Sequence, residues 1–283
     1  MNQLPGFSIL TTRLTLLVCL VATAFLPLPA AADNRSAPLV AEDFERTRNA
    51  GLYRMLVSHR HLDVVRGVGV GGGRALRATY EGFDRGSERI VLRFPLPRSS
   101  DEMTLCYDVR FEEDFQFVRG GKLHGLGPVR PVSGGNPMTP EGWSARVNFG
   151  RDGGIRSYLY VQDKPGRYGL SQGATSFRFE KGRWHAVSLH VKLNSGPDVS
   201  DGFVRIHVDG ALLVDQGDLR FRAATGRDTL ISQFLFSTFH GGSNPDWAPK
   251  KEDGSYATVH AHFDNIAVYT GERVRGEPGA CWK

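Results

Sequence analysis

Two cationic and two phenolic side chains stand close together in one stretch of this chain. Lys122 lies in a glycine-rich run, Arg146 follows Ser144 by two residues, and Tyr160 follows Tyr158 by two. Because side chains alternate between the two faces of an extended strand, Ser144 and Arg146 share a face, and so do the two tyrosines. If both faces look into one cleft, the site would suit an acidic sugar.

The elements that must position these residues are predicted to be short β-strands. From about residue 75 onward, many short runs alternate apolar and polar residues, which is typical of strands with one packed and one solvated face. Asp209-Gly210, between two apolar runs, indicates a hairpin. The predicted strands cover residues 75–80, 89–94, 103–111, 144–149, 154–162, 175–179, 184–193, 203–208, 211–215, 231–239 and 259–269.

The pattern contains almost no helix. The one helical feature that we expect is a turn at residues 41–49, so architectures built from alternating strands and helices do not fit. The sequence therefore predicts an all-β fold, an antiparallel β-sandwich of jelly-roll (concanavalin-like) type. Two long loops, residues 127–142 and 241–256, are of the kind that usually borders a functional site.

The N-terminus has the features of a signal peptide, which we assign to residues 1–32. Arg13 supplies the positive start, residues 14–28 are mostly apolar, and the three alanines at 30–32 offer a small-residue cleavage site. No later segment approaches the roughly 20 apolar residues that a membrane span requires. We expect a secreted or periplasmic protein without a membrane anchor, with one domain over residues 33–283.

The net charge bears on the class of binding partner, and the cysteines bear on a possible disulfide. The formal net charge of +5 is compatible with a polyanionic partner, and equally with a positive excess that only aids solubility. Nucleic acid is not expected, because the basic residues are dispersed among acids. We expect a monomer. Cys106 and Cys281 could form a disulfide in an oxidising compartment and fix the C-terminal tail to the sandwich.

Several motifs, taken in their order along the chain, resemble the alginate and glucuronan lyases of polysaccharide lyase family 14. Framework segments at residues 182–184, 191–194, 208–210 and 263–265 also resemble that family, so the resemblance runs from about residue 71 to residue 269. The site motifs are Gly-Lys-Leu-His-Gly-Leu at 121–126, Trp-Ser-Ala-Arg-Val at 143–147, Tyr158 with Tyr160, and Phe-His-Gly-Gly at 239–242.

The resemblance implies a lyase without a required cofactor, which acts on a 4-linked polyuronate such as alginate or glucuronan. Such an enzyme removes the proton next to the sugar carboxylate and expels the 4-linked oxygen, so it must stabilise charge that builds on the carboxylate. Arg146 could bind the carboxylate through two parallel hydrogen bonds, and Lys122 would add a compact charge. Both cations should lower the pKa of Tyr158 and favour its phenolate.

The roles within this catalytic set stay open at this point. Tyr158 is the principal base or acid, with Tyr160 as its partner or as a group that orients the sugar, and Lys122 could equally be the base. Ser144 is expected to bind substrate beside Arg146.

Three further polar residues are candidates for substrate binding. His124 stands where the family pattern has proline, and it either exchanges protons or shapes the cleft floor. His240 either contacts the sugar or is structural. Gln233 could donate a hydrogen bond to the sugar. Asn148 also departs from the family pattern, because a bulkier apolar residue is expected there.

Two other functions compete with the lyase. The first is a non-catalytic module that binds acidic glycans, which would not need the full set of Lys122, Arg146 and Tyr158. The second is a glycoside hydrolase, which needs two opposed carboxylates, whereas the acids at 112–114 look like a charged turn. No metal site is expected from the histidine spacing. Aspartates near Asp264 are compatible with a structural calcium, but no ligand loop indicates one.

Overall fold

The computed structural model describes Met1, Gly6 and residues 37–279. Contacts divide the chain into two compact units, residues 1–35 and 36–283, and only Met1 and Gly6 are described in the first. The signal peptide and its cleavage site fall almost wholly outside the described residues and stay predictions. In the part of the chain that is described, no helix is long and apolar enough to cross a membrane.

The described part of the second unit is built mainly from strands. Its helical elements are α1 (Ala50–Val57) and four 3₁₀ turns, Val70–Gly72, Arg151–Gly153, Arg227–Thr229 and Pro245–Trp247. The strands are β1 (Val40–Glu42), β2 (Leu62–Arg66), β3 (Arg74–Phe83), β4 (Gly86–Ser87), β5 (Ile90–Ser100), β6 (Glu102–Phe111), β7 (Gly120–Gly127), β8 (Ser144–Gly150), β9 (Ile155–Tyr160), β10 (His185–Lys192), β11 (Gly202–Val208), β12 (Ala211–Leu219), β13 (Ile231–His240) and β14 (Thr258–Thr270).

These strands form two antiparallel sheets. The nine-stranded sheet has the order β12-β11-β10-β6-β14-β3-β2, with β1 paired to β14 and β4 paired to β3. The five-stranded sheet has the order β5-β13-β7-β8-β9. Some sequential strands are neighbours, such as β7-β8-β9 and β10-β11-β12, whereas β6 pairs with β14 and β5 with β13 across long stretches of chain, as in a jelly roll. The predicted antiparallel sandwich of jelly-roll type is confirmed.

The core lies between the sheets and is rich in aromatic rings. Phe111 of β6 meets Phe149 of β8 edge-on at 5.6 Å between ring centroids, and Phe236 of β13 meets Phe263 of β14 at 5.7 Å. Such edge-on pairs are the favoured geometry of packed aromatic rings. Burial of these faces holds the five-stranded sheet in place and leaves its other face open.

Two local expectations fail, and one strand of the site was not predicted. Residues 175–179 form no strand, because Phe177 and Phe179 pack against the core without a neighbouring strand to complete a ladder. The helix begins at Ala50, beyond the predicted turn at 41–49, where Asn49 caps it by accepting a hydrogen bond from the Leu52 amide at 2.9 Å. Strand β7, whose glycines resemble a loop, was not predicted.

Candidate active site

Three neighbouring strands, β7, β8 and β9, carry the residues of the candidate site on the open face of the five-stranded sheet. Residues 145, 147 and 149 of β8 are buried in the core, so the alternate residues of that strand point to the opposite face. Residues that face each other on adjacent antiparallel strands share that face. The register gives three rows, Lys122–Asn148–Arg156, Arg146–Tyr158 and Ser144–Tyr160.

Glycines let β7 lie close against its neighbours. A Cβ added at Gly121 would collide with the carbonyl oxygen of Phe239, and one at Gly125 would collide with that of Ala145. Only a residue without a side chain fits either position. Lys122 therefore extends from a part of β7 in which the nearby glycines have no side chains.

A cleft of about 350 Å³ opens above this floor. Tyr168, from the segment after β9, and Trp247, from the segment after β13, both line it. Its remaining lining residues are Arg119, Gly120, Gly121, Lys122, Asn148, Phe149, Arg156, Tyr158, Ser171, Gly241, Gly242 and Ser243. No acid is among them, so the lining is cationic and aromatic.

Lys122 is half-buried at the centre of the cleft. Its Nζ lies 3.0 Å from the centroid of the Tyr158 ring, and Asn148 accepts a hydrogen bond from it at 3.1 Å when the amide oxygen is turned toward the lysine. Burial, reinforced by the positive charges of Arg146 and Arg156, holds the pKa of Lys122 well below its ordinary value. The neutral amine, which can accept a proton, is thereby favoured.

Arg146 is a buried cation, with 5% of the residue exposed. Its Nη1 donates to Ser144 Oγ at 2.6 Å, and that hydroxyl donates in turn to the Val132 carbonyl at 2.6 Å. Burial and the nearby Arg93 lower the pKa of Arg146 to about 10, so it stays protonated at neutral pH. Within residues 37–279 no carboxylate forms an ion pair with it, which leaves a buried charge in need of an anion.

The two tyrosines pack edge-on beside this arginine, with ring centroids 5.8 Å apart. The Tyr160 hydroxyl accepts a hydrogen bond from the Gly135 amide at 2.7 Å. Burial and the hydrogen bond to Tyr160 raise the pKa of Tyr158 to about 12, and Arg146 offsets this only in part. Arg146 thus favours the phenolate in the expected direction, but burial outweighs it, and Tyr158 is a protonated phenol at neutral pH.

His124 and His240 lie in the core and not in the cleft. His124 stacks on Phe236 with 4.1 Å between ring centroids, and His240 stacks on Phe115 at 5.3 Å. Burial lowers the pKa of His124 to about 3 and that of His240 to about 4, so both rings are neutral. A register shift in β7 between Lys122 and residue 125 breaks the alternation that would have put His124 beside the lysine. These positions argue against the substrate-binding roles predicted for both histidines.

Gln233 occupies an intermediate position. It is partly exposed on β13 opposite Gly127, two rows of side chains away from Lys122, and it does not line the cleft. The structure thus brings together Lys122, Ser144, Arg146, Tyr158 and Tyr160 on the adjacent strands β7, β8 and β9. Gln233 lies on the next strand, β13, and is separated from β8 by Gly127 of β7.

Several cleft residues were not predicted from the sequence. Arg156 precedes Tyr158 by two residues, so strand alternation alone could have placed it on the same face. Tyr168 and Arg119 carry no such signal, because their segments reach the cleft only through the fold. Arg119 is held there by an ion pair with Asp246 at 2.8 Å.

The described residues contain no group of three or more histidine, cysteine or acidic side chains that could hold a metal ion. Asp264, the candidate calcium ligand, accepts hydrogen bonds from nearby backbone amides. Its carboxyl oxygens accept hydrogen bonds from the Val70 amide at 3.0 Å and the Asn265 amide at 2.7 Å. Burial raises its pKa to about 8, which favours a neutral carboxyl group over a metal ligand.

Known structures share this architecture. A mutant of the alginate lyase Aly36B in complex with alginate trisaccharide is 25% identical, with a TM-score of 0.60 over 70% of this chain and 82% of that one. The PL-14 alginate lyase from Aplysia kurodai is 24% identical, with a TM-score of 0.64 over 83% and 100%. The endo-β-1,4-glucuronan lyase from Trichoderma reesei is 18% identical, with a TM-score of 0.56 over 86% and 100%.

Sequence comparison gives the assignment. No functionally curated protein matches the chain. The family model described as polysaccharide lyase 14 matches residues 84–263, which is more than half of the chain and includes every residue of the three rows on β7, β8 and β9. The chain therefore belongs to polysaccharide lyase family 14 and is a polysaccharide lyase.

Proposed function

We propose that this lyase is exported and cleaves a 4-linked polyuronate, alginate or glucuronan, by β-elimination. The observation that carries the proposal is Arg146, which is buried without a carboxylate partner among residues 37–279. It lies opposite Tyr158 on the neighbouring strand, and Tyr158 lines a cleft without acids. A polymer with one carboxylate per sugar supplies the missing anions. The alginate trisaccharide in the related lyase and the names of the other relatives support the same substrate class.

Arg146 holds the carboxylate of the sugar that reacts. Its guanidinium is oriented by Ser144, whose own hydroxyl is fixed on a backbone carbonyl, so the donors are in place before the substrate arrives. Donors that are fixed in advance stabilise the negative charge that spreads onto the carboxylate as the neighbouring carbon loses its proton. The planar guanidinium can bind both carboxylate oxygens at once.

Lys122 is the base and Tyr158 is the acid in this proposal. The neutral Lys122 amine takes the proton from the carbon beside the carboxylate, and the electron pair of that C–H bond becomes the new C=C bond. The bond to the 4-linked oxygen breaks, and the Tyr158 phenol donates its proton to that oxygen. The opposite directions of the two pKa shifts support this division over Tyr158 as the base.

The test is a substrate screen on the purified protein. Polymannuronate, polyguluronate, glucuronan and glycosaminoglycans are each incubated with the enzyme, and the ultraviolet absorbance of the unsaturated uronate product is followed. We expect absorbance to rise with alginate or glucuronan. Absence of product with every uronan would overturn the proposed substrate class. Recovery of the protein outside the cytoplasm, with residues 1–32 removed, tests the export proposal separately.

A further inference from the structure

Beside the cleft lies a second cavity that the proposed reaction does not use. It has a volume of about 420 Å³. Arg156 and Ser171 line both cavities, so the two are adjacent. Of these two cavities, Arg151 and Arg178 line only the second.

We propose that this second cavity, which we call the arginine pocket, binds the carboxylate of a further uronate in the same polymer. The inference rests on the proposed function and extends it from one sugar to a longer stretch of chain. It predicts that the enzyme recognises long polyuronates better than short ones.

The position of the arginine pocket follows from the sheet. The row Lys122–Asn148–Arg156 crosses β7, β8 and β9, which are neighbours separated by about 4.8 Å each. Gly173 forms an isolated antiparallel bridge with Arg156 at the outer edge of β9, and it lines the arginine pocket. A polymer that lies across the strands at Lys122 passes Arg156 and then enters this pocket.

The charge of the arginine pocket calls for an anion. Arg151, Arg156 and Arg178 line it with a single acid, Asp152. None of these four side chains forms an ion pair within the described part of the chain. Three like charges around one concavity repel each other, and an entering carboxylate relieves that repulsion.

Arg178 is already oriented for such a ligand. Its Nη1 donates to the carbonyl oxygens of Phe177 at 2.7 Å and Thr175 at 3.2 Å. These two bonds fix the plane of the guanidinium and leave its other nitrogens for a ligand. A guanidinium held in this way loses little freedom when it forms a pair of hydrogen bonds with a carboxylate.

The experiment compares cleavage of uronate oligosaccharides of increasing length. The test variant is Arg151→Gln with Arg178→Gln, and it leaves Arg156 in place. The control variant is Arg54→Gln with Arg66→Gln, which removes the same charge from exposed positions on α1 and β2. We expect kcat/KM of the test variant to fall about tenfold on the longest oligosaccharide and to stay unchanged on the shortest one that is cleaved.

Two outcomes would overturn the arginine pocket while leaving the proposed function intact. One is an unchanged kcat/KM on long chains, and the other is an equal loss on short and long chains, which would indicate a general defect. If the wild-type enzyme cleaves no uronan, the proposed function fails instead. In that case, calorimetric binding of the same oligosaccharides tests the arginine pocket. If the pocket binds a uronate, the test variant should lose affinity for long oligosaccharides and keep its affinity for short ones.

Discussion

The outer faces of the two sheets differ in whether their charged side chains have partners of opposite charge. On the nine-stranded sheet, buried Asp108 pairs with Arg275, His190 bonds Glu102 at 2.9 Å, and Arg77 bonds Asp63 at 3.1 Å. On the five-stranded sheet, Arg146 is just as buried and has no carboxylate partner within residues 37–279.

The difference separates stability from function. A charge that is paired within the chain belongs to the folded structure, and removal of its partner leaves an isolated buried charge. A charge left unpaired at a cleft lowers stability and is retained for a ligand. The comparison therefore supports the proposed site on the five-stranded sheet by an argument that uses no relative.

The largest effect is expected at Lys122. Lys122→Ala should lower kcat/KM by roughly 10²–10⁴-fold, because it removes the proposed base, while the free energy of unfolding stays near the wild-type value. In the wild type, kcat/KM should rise with pH as the Lys122 ammonium loses its proton, at a pH well below the ordinary lysine range. The measurements are steady-state rates and denaturant titration.

Lys192→Ala is the matched control for that substitution. Lys192 lies on β10 of the other sheet, and its Nζ is 3.7 Å from a Glu102 oxygen. Its replacement by alanine should leave both kcat/KM and the pH dependence of kcat/KM unchanged. A Lys122→Ala variant that retains more than a tenth of wild-type kcat/KM would refute the base assignment.

The second prediction tests the comparison between the sheets directly. Arg275→Met should lower the free energy of unfolding by about 3–5 kcal/mol, because Asp108 is left buried without its cation. Arg146→Met should raise it by about 1 kcal/mol, because an unpaired buried charge is removed, and should abolish measurable cleavage. Urea titration of both variants gives the two values.

If both arginine substitutions change stability in the same direction, the contrast between the faces is wrong. The Arg275→Met variant also serves as the activity control. Its folded fraction should cleave at the wild-type rate, since Arg275 lies on the nine-stranded sheet.

The third prediction concerns the tail that covers the nine-stranded sheet. The Gly279 amide donates to Asp108 at 2.9 Å, two residues before Cys281, and Cys106 precedes Asp108 by two residues on β6. Cys281 lies outside the described residues, so the disulfide between these cysteines stays a prediction. If it forms, reduction should lower the free energy of unfolding by about 2–4 kcal/mol.

Mass spectrometry after alkylation of the denatured protein checks this pairing. We expect neither Cys106 nor Cys281 to be alkylated before reduction, and both to be alkylated afterwards. Alkylation of both without reduction would refute the disulfide.

The smallest effect is expected from a histidine between the sheets. Because the folded-state pKa of His124 is about 3, the unfolded state binds a proton below pH 6.5 that the folded state does not, and stability falls as the pH falls. His124→Phe removes this effect. Between pH 7 and pH 5 the variant should lose about 2 kcal/mol less of its free energy of unfolding than the wild type.

His190→Phe is the comparison variant for this pH series. His190 is a second buried histidine, on the other sheet, where its Nε2 lies 2.9 Å from a Glu102 oxygen. Equal slopes for wild type and His124→Phe would contradict the burial of a neutral imidazole.

Much of this molecule could be predicted from local patterns. Alternation of apolar and polar residues indicated most strands, and the two-residue spacings placed Arg146 with Ser144 and Tyr158 with Tyr160. These predictions succeeded because a strand fixes the face of each side chain independently of the rest of the fold.

The failures arose where the local rule is broken or where the environment decides. The register shift in β7 turned His124 into the core, which no pattern of side chains reveals. The pKa of Tyr158 depends on burial more than on its cationic neighbours, and burial is set by the whole sandwich. Residues 175–179 had the pattern of a strand and lacked a partner.

The glycines of β7 limit how this enzyme can be altered. Since neither Gly121 nor Gly125 can accept even a methyl group, the centre of the sheet cannot be reshaped to suit another sugar. We expect adaptation to a new polymer to come through Tyr168 and Trp247, which line the cleft from segments outside the sheet. An engineer who seeks new specificity should diversify those two positions and leave the base of the groove untouched.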